Sequence, residues 1–173
     1  MLGAYPPFSG YDLRGSGVGP SPLSAVAQFS DTTDQPVATV PTVIKFNTVD
    51  YASGGLSLVA GSRLTVATTG TYRFDLSAQM LHTGGGTETI TFWARVNGTN
   101  LPNSASSIEM GNNNNRALPY IPLLVSMTAG QYLEWVFLAT AGTAIRVEAF
   151  PAVVGPPAVP AIPSVIAGVY RLA

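Results

Sequence analysis

Cysteine is absent from this chain, lysine occurs once, at Lys45, and histidine once, at His82. Without thiols there is no disulfide framework and no thiolate metal site, so stability has to come from burial or from assembly. With a single lysine and a formal net charge of −1, no basic patch is available to neutralise a row of phosphates, and nucleic acid is not an expected partner. No apolar run approaches the roughly 20 residues needed to cross a bilayer. The N-terminus also lacks the basic start and apolar stretch of a secretory signal. The expectation is a protein soluble at synthesis, not secreted by the general route, with no membrane partner. Charge of either sign is scarce, at 10% of residues, against about a quarter in an ordinary soluble domain. Hydrophobic residues reach 46%. So little charge is expected where much of the surface is buried against other subunits, because interface cores are depleted of it.

What is present divides the chain in two. Residues 1–22, MLGAYPPFSGYDLRGSGVGPSP, are rich in Gly and Pro and follow neither a twofold nor a 3.6-residue period. They read as an extended arm. Flexible linkers are Gly/Ser-rich and lack aromatics, so Tyr5, Phe8 and Tyr11 mark an arm that docks onto something. Gly15, Gly17 and Gly19 recur every second residue rather than every third, which excludes a collagen stalk.

Residues 23–173 read as one all-β domain: strand-like runs separated by Gly, Asn, Asp and Pro, with no ten-residue stretch that combines a helical period with caps. The clearest run is Tyr72–Met80, where Tyr72, Phe74, Leu76, Ala78 and Met80 alternate with Arg73, Asp75, Ser77 and Gln79. Thr87–Val96 alternates in the same way and ends in Asn97-Gly98, a turn pair suited to positive φ. Further strands are expected at Ala25–Phe29, Val43–Phe46, Arg63–Val66, Leu118–Met127, Tyr132–Ala139, Ile145–Ala149 and Ser164–Leu172. The Pro-rich stretch Pro151–Pro163 cannot donate a full ladder of hydrogen bonds and reads as a surface loop.

Two of these strands are apolar on both faces. In Tyr132–Ala139, Leu133, Trp135, Phe137 and Ala139 share one face, and Tyr132, Val136 and Leu138 flank Glu134 on the other. In Ser164–Leu172, Val165, Ala167 and Val169 oppose Ile166, Gly168, Tyr170 and Leu172. One face of an antiparallel sandwich strand meets the core and the other ordinarily meets water. The second face here is expected to meet another copy of the chain. Trp93, Leu133, Trp135, Phe137, Ile166 and Tyr170 are the expected oligomer-interface residues.

No catalytic constellation stands out. His82 falls at a strand end beside Thr83-Gly84-Gly85-Gly86 and reads as a surface histidine, with no nucleophile elbow in the chain. Asp75, Glu88, Glu109, Glu134 and Glu148 read as solvated charges on outward faces, and no spacing resembles a zinc or calcium loop. No catalytic residue, metal or cofactor is expected. The segment Gly111–Arg116 reads as an exposed polar loop.

Four phrases together resemble a known group of folds. They are Gly70-Thr71-Tyr72-Arg73-Phe74, Arg95-Val96-Asn97-Gly98-Thr99, Met127-Thr128-Ala129-Gly130-Gln131-Tyr132-Leu133, and Pro160-Ala161-Ile162-Pro163-Ser164-Val165-Ile166. Their order and spacing resemble the jelly-roll heads of the tumour necrosis factor and complement type, and more closely the versions found in bacteriophage virion proteins. The resemblance implies an antiparallel two-sheet jelly-roll sandwich of ten strands that forms a homotrimer. It further implies a capsid cement or decoration protein on the virion surface, partnered with itself and the major capsid protein, the latter through Tyr5, Phe8 and Tyr11 of the arm. The alternatives are a receptor-binding head of a tail fibre and a minor capsid or vertex jelly roll. A tail-fibre head is disfavoured by the lack of a coiled-coil or repetitive shaft in this sequence.

Overall fold

The computed structural model describes residues 25–111, 114–140 and 144–172. Among these residues there is no helix, and the strands in chain order are β1 (Val26–Asp31), β2 (Gln35–Pro36), β3 (Thr42–Val43), β4 (Thr48–Ala52), β5 (Leu56–Val59), β6 (Arg63–Val66), β7 (Gly70–Ala78) and β8 (Met80–His82). They continue with β9 (Glu88–Val96), β10 (Thr99–Asn100), β11 (Ser106–Met110), β12 (Asn115–Ala117), β13 (Tyr120–Met127), β14 (Tyr132–Ala139), β15 (Ile145–Val147) and β16 (Val165–Arg171).

Every pairing is antiparallel, and the strands form two facing layers. One layer is the five-stranded sheet β13-β7-β16-β1-β4; the other runs β10-β9-β14-β6-β5, with β11 also on β9 and β3 also on β14. A four-stranded sheet, β12-β8-β15-β2, prolongs the first layer, because β8 follows β7 after one residue and β12 leads into β13. That one residue, Gln79, holds both neighbours: its N–H donates to Ser164 O at 2.8 Å, and its carbonyl accepts from Glu148 N–H at 2.8 Å.

Alternation places the core. Tyr72, Phe74, Leu76 and Ala78 of β7, Ile90, Phe92 and Ala94 of β9, and Leu133, Trp135 and Phe137 of β14 belong to one buried cluster shared by both sheets. Phe92 and Phe137 meet edge-on with centroids 6.4 Å apart, the arrangement favoured by the ring quadrupole. Arg63–Val66 and Tyr132–Ala139 form at the positions read from the sequence. Asn97 and Gly98 take positive φ of 49° and 79°, the geometry of a tight hairpin between β9 and β10.

Several expectations need correction. Of Val43–Phe46 only Val43 is in a strand; Ile44 and Phe46 instead turn into the core, tied by Ile44 N–H to Trp135 O and Phe46 N–H to Gly61 O. The strands β4, β5 and β11 were not expected. Pro151–Pro163 does lie on the surface but is folded back on itself, with Phe150 bridged to Ile162 and Val153 to Val159. The ten strands implied by the resemblance become more numerous, shorter segments, partly because β7 and β8 are two parts of one path.

Candidate interaction surface

His82 is not a surface residue. It is fully buried, with Nδ1 within hydrogen-bond distance of Gly111 O and Nε2 3.6 Å from Glu88 Oε1. Gly84 closes over the same ring, since a Cβ there would lie 2.6 Å from the Ala144 Cβ and 3.2 Å from His82 Nε2. The turn is therefore packed onto the histidine. The group ties loops together and has no hydroxyl partner among the described residues.

The carboxylates are also less solvated than expected. Glu88 and Glu134 are buried; Glu134 accepts from Ser62 Oγ at 3.1 Å and pairs with Arg63 at 3.5 Å. Glu148 lies between Arg116 (2.6 Å) and Arg146 (2.7 Å). Burial alone pushes the Glu148 carboxyl up, but the hydrogen bonds and charges of the two arginines outweigh it and hold the group below the usual carboxylate range. Asp75 chelates Arg73 through both oxygens, at 2.9 and 3.1 Å, while Glu109 is exposed as expected. No cluster of three or more metal-ligating side chains forms among the described residues. Glu88 is the exception to this pairing: beyond the 3.6 Å approach to His82, its Oε2 is buried without a hydrogen-bond partner.

The six expected interface residues fall into three places. Leu133, Trp135 and Phe137 are at or near zero exposure inside the chain's own core. They cannot be the contact between copies, because their face of β14 is the one that meets β7 and β16 in the sandwich. Trp93 lies on the outer face of the other layer, half-buried, its Nε1 donating to Asn100 Oδ1 at 2.9 Å and its ring 5.8 Å from the Arg95 guanidinium. Ile166 and Tyr170 lie on the outer face of the five-stranded sheet and are partly exposed. The arm residues Tyr5, Phe8 and Tyr11 lie outside the described residues.

That outer face is the molecule's main exposed apolar surface. Register sets three rows across it: Leu124, Arg73, Tyr170 and Val26; Pro122, Asp75, Gly168, Gln28 and Tyr51; Tyr120, Ser77, Ile166 and Ser30. Leu124 is 66% exposed, Tyr51 59%, Tyr120 55% and Leu172 50%, a concentration of large apolar groups that isolated soluble domains avoid. Its one cation is compensated in place. Arg73 is held by Asp75 and donates to the Tyr120 hydroxyl at 2.7 Å, and these two hydrogen bonds raise its pKa above the ordinary arginine value. Two shallow hollows flank Arg73, one lined by Pro122, Leu123 and Leu124, the other by Asp75, Tyr120, Tyr170 and Leu172. Gly168 sits at the centre beneath the Tyr170 ring; a Cβ there would be 3.0 Å from it, so glycine lets the ring lie flat against the strand.

Sequence reasoning placed Ile166, Tyr170 and Leu172 on the outward face of β16 but did not single out Tyr51, Tyr120 and Leu124. The signal for Tyr120 and Leu124 was available. In Tyr120–Met127 the residues opposite the core positions Ile121, Val125 and Met127 include an aromatic and a leucine where a solvent-facing strand would carry charge.

No family model and no curated protein matches the sequence. Solved structures do match the fold. The globular domain of zebrafish complement 1qA protein superposes with a TM-score of 0.52 at 7% identity, over 86% of this chain and 98% of that one. Murine APRIL superposes with a TM-score of 0.53 at 12% identity, over the same shares of the two chains. The chain is an all-β, antiparallel jelly roll of the tumour necrosis factor and complement-head type.

Proposed function

We propose that the protein is a non-enzymatic virion structural protein: a homotrimer of jelly rolls that binds the assembled head of a bacteriophage and stabilises it as a capsid cement or decoration protein. The observation that carries the self-association is the exposed apolar outer face of the five-stranded sheet, centred on Ile166, Gly168 and Tyr170 of β16. Stable interfaces bury about 800 Å² per partner around a core poor in charge, and the only charged pair near the middle of this face, Arg73 with Asp75, is already neutralised. Rotation about an axis along this face lets the edge bearing Tyr120 and Leu124 of one copy pack against Tyr170 and Tyr51 of the next.

The capsid role is supported by the resemblance of four sequence phrases to those of phage virion proteins and by the aromatic residues of the N-terminal arm. The described residues begin at Ala25, whose carbonyl accepts from Arg171 N–H at 3.0 Å, beside Tyr170 on β16. In this reading Tyr5, Phe8 and Tyr11 dock on the major capsid protein, and binding to the assembled shell stabilises it by mass action.

Sedimentation equilibrium of the purified chain is expected to give a trimer, and a monomer across the micromolar range would overturn the reading. Mixing the chain with undecorated heads is expected to load many copies per head and raise the temperature at which the shells break. Removal of residues 1–22 should abolish loading while leaving the trimer intact. A few copies per particle, confined to the tail, would favour a fibre head instead.

A further inference from the structure

The longest charge-free stretch of the chain runs from Ala149 to Tyr170, with no Asp, Glu, Lys, Arg or His. It contains two things that follow one another along the chain: the hairpin finger between Phe150 and Ile162, and the outward residues of β16, which is the central strand of the proposed association face. The finger is firmly rooted. Phe150 and Ile162 exchange both backbone hydrogen bonds at 2.9 Å, and Val153 and Val159 exchange theirs at 2.9 and 3.2 Å. The Arg116 guanidinium sits 4.7 Å over the Phe150 ring while bonded to Glu148. Yet the finger's upper part presents apolar side chains to the outside: Val154 is 98% exposed, Val153 57% and Val159 40%. A rooted, proline-stiffened finger loses little freedom when its tip is covered.

Segments that meet on a rotation axis meet their own copies, so any charge on them faces like charge at close range. A stretch free of charge through both finger and central strand is therefore suited to the axis. We propose that the finger is an axial clasp: in the oligomer the finger tips of neighbouring copies pack on one another through Val153, Val154 and Val159. The inference rests on the self-association proposed above and extends that interface past Ile166 to the end of the sandwich.

The absence of cysteine makes the test direct. Val154→Cys and, as a control, Val40→Cys, an exposed residue before β3, are each oxidised mildly and run on non-reducing gels. A disulfide requires Cα atoms within roughly 4.4–6.8 Å, so Val154→Cys is expected to form a linked dimer at a rate that dilution does not change, and Val40→Cys is not. A second variant, with residues 151–161 replaced by Asn-Gly, should still form the oligomer but dissociate at about tenfold higher concentration. If Val154→Cys cross-links no faster than the control, or only in proportion to concentration, while sedimentation shows the oligomer intact, the clasp is wrong and the association face stands. If the unmodified chain sediments as a monomer, both readings fall together.

Discussion

β14 and β16 look alike in sequence, each apolar on both faces, and the structure closes their second faces in different ways. On β14, Val136 stands between Trp93 of β9 and Val43 of β3 and is fully buried by them, while Glu134 is covered by Ser62 and Arg63. On β16 the corresponding positions, Ile166 and Tyr170, are flanked by Ser77 and Arg73 of β7 and by Ser30 and Val26 of β1, and they remain open. A doubly apolar strand thus does not report whether its second face is covered within the chain. The neighbours in the ladder decide it: a tryptophan beside the strand roofs it from within the chain, whereas short or ion-paired neighbours leave it open, as the proposed association requires.

That contrast can be broken in four places. The largest effect is expected from Trp135→Ala, which empties the intrachain core and should cost about 3–5 kcal/mol in denaturant unfolding, a loss relative to the unmodified chain that is the same at every protein concentration. Trp135→Phe should cost much less, since the indole Nε1 has no hydrogen-bond partner to lose. If Trp135→Ala instead left the folded chain stable and only dissociated it, the assignment of β14 to the core would fail. Next, Tyr170→Asp should yield folded monomers, weakening association by roughly 2 kcal/mol or more as central interface aromatics do, read by sedimentation with circular dichroism unchanged. Trp93→Ala unroofs Val136 and should cost on the order of 1 kcal/mol in unfolding while leaving the oligomer's mass unaltered.

The smallest effect concerns pH. Glu148 has a folded pKa below its unfolded one, so its contribution is complete above the ordinary glutamate value of about 4.3 and is lost as pH falls through the lower folded value. Acidification across that window should loosen the root of the finger by about 1 kcal/mol or less, as expected for partly exposed ion pairs. Glu148→Gln should remove this part of the pH dependence, which thermal melts between neutral and acid pH would check.

Much of the sandwich was legible because β7, β9, β14 and β16 are long and strongly patterned. β4 was not, because as an edge strand its residues Thr48–Ala52 have little burial to pattern them, and β11 hides Ile108 and Met110 among serines and a glutamate. His82 was misread for a related reason. The glycines that follow it suggest an open turn, but Gly111 and the strands β12 and β15 that flank it through Asn115 and Ile145 are remote in sequence. The outer face was half legible: β16 and β13 carry their own signal, whereas Tyr51 joins the face only through register.

Gln79 has a consequence for how this domain tolerates change. Both feet of the finger, Glu148 and Ser164, are hydrogen-bonded to that single residue, so the chain between them is a loop already closed at its base by the sandwich. Lengthening such a loop is inexpensive, about 0.6 kcal/mol for each doubling. The finger can therefore change in length or sequence between its feet without disturbing the strands beneath it, so that variation there acts on what the tip meets and not on the fold.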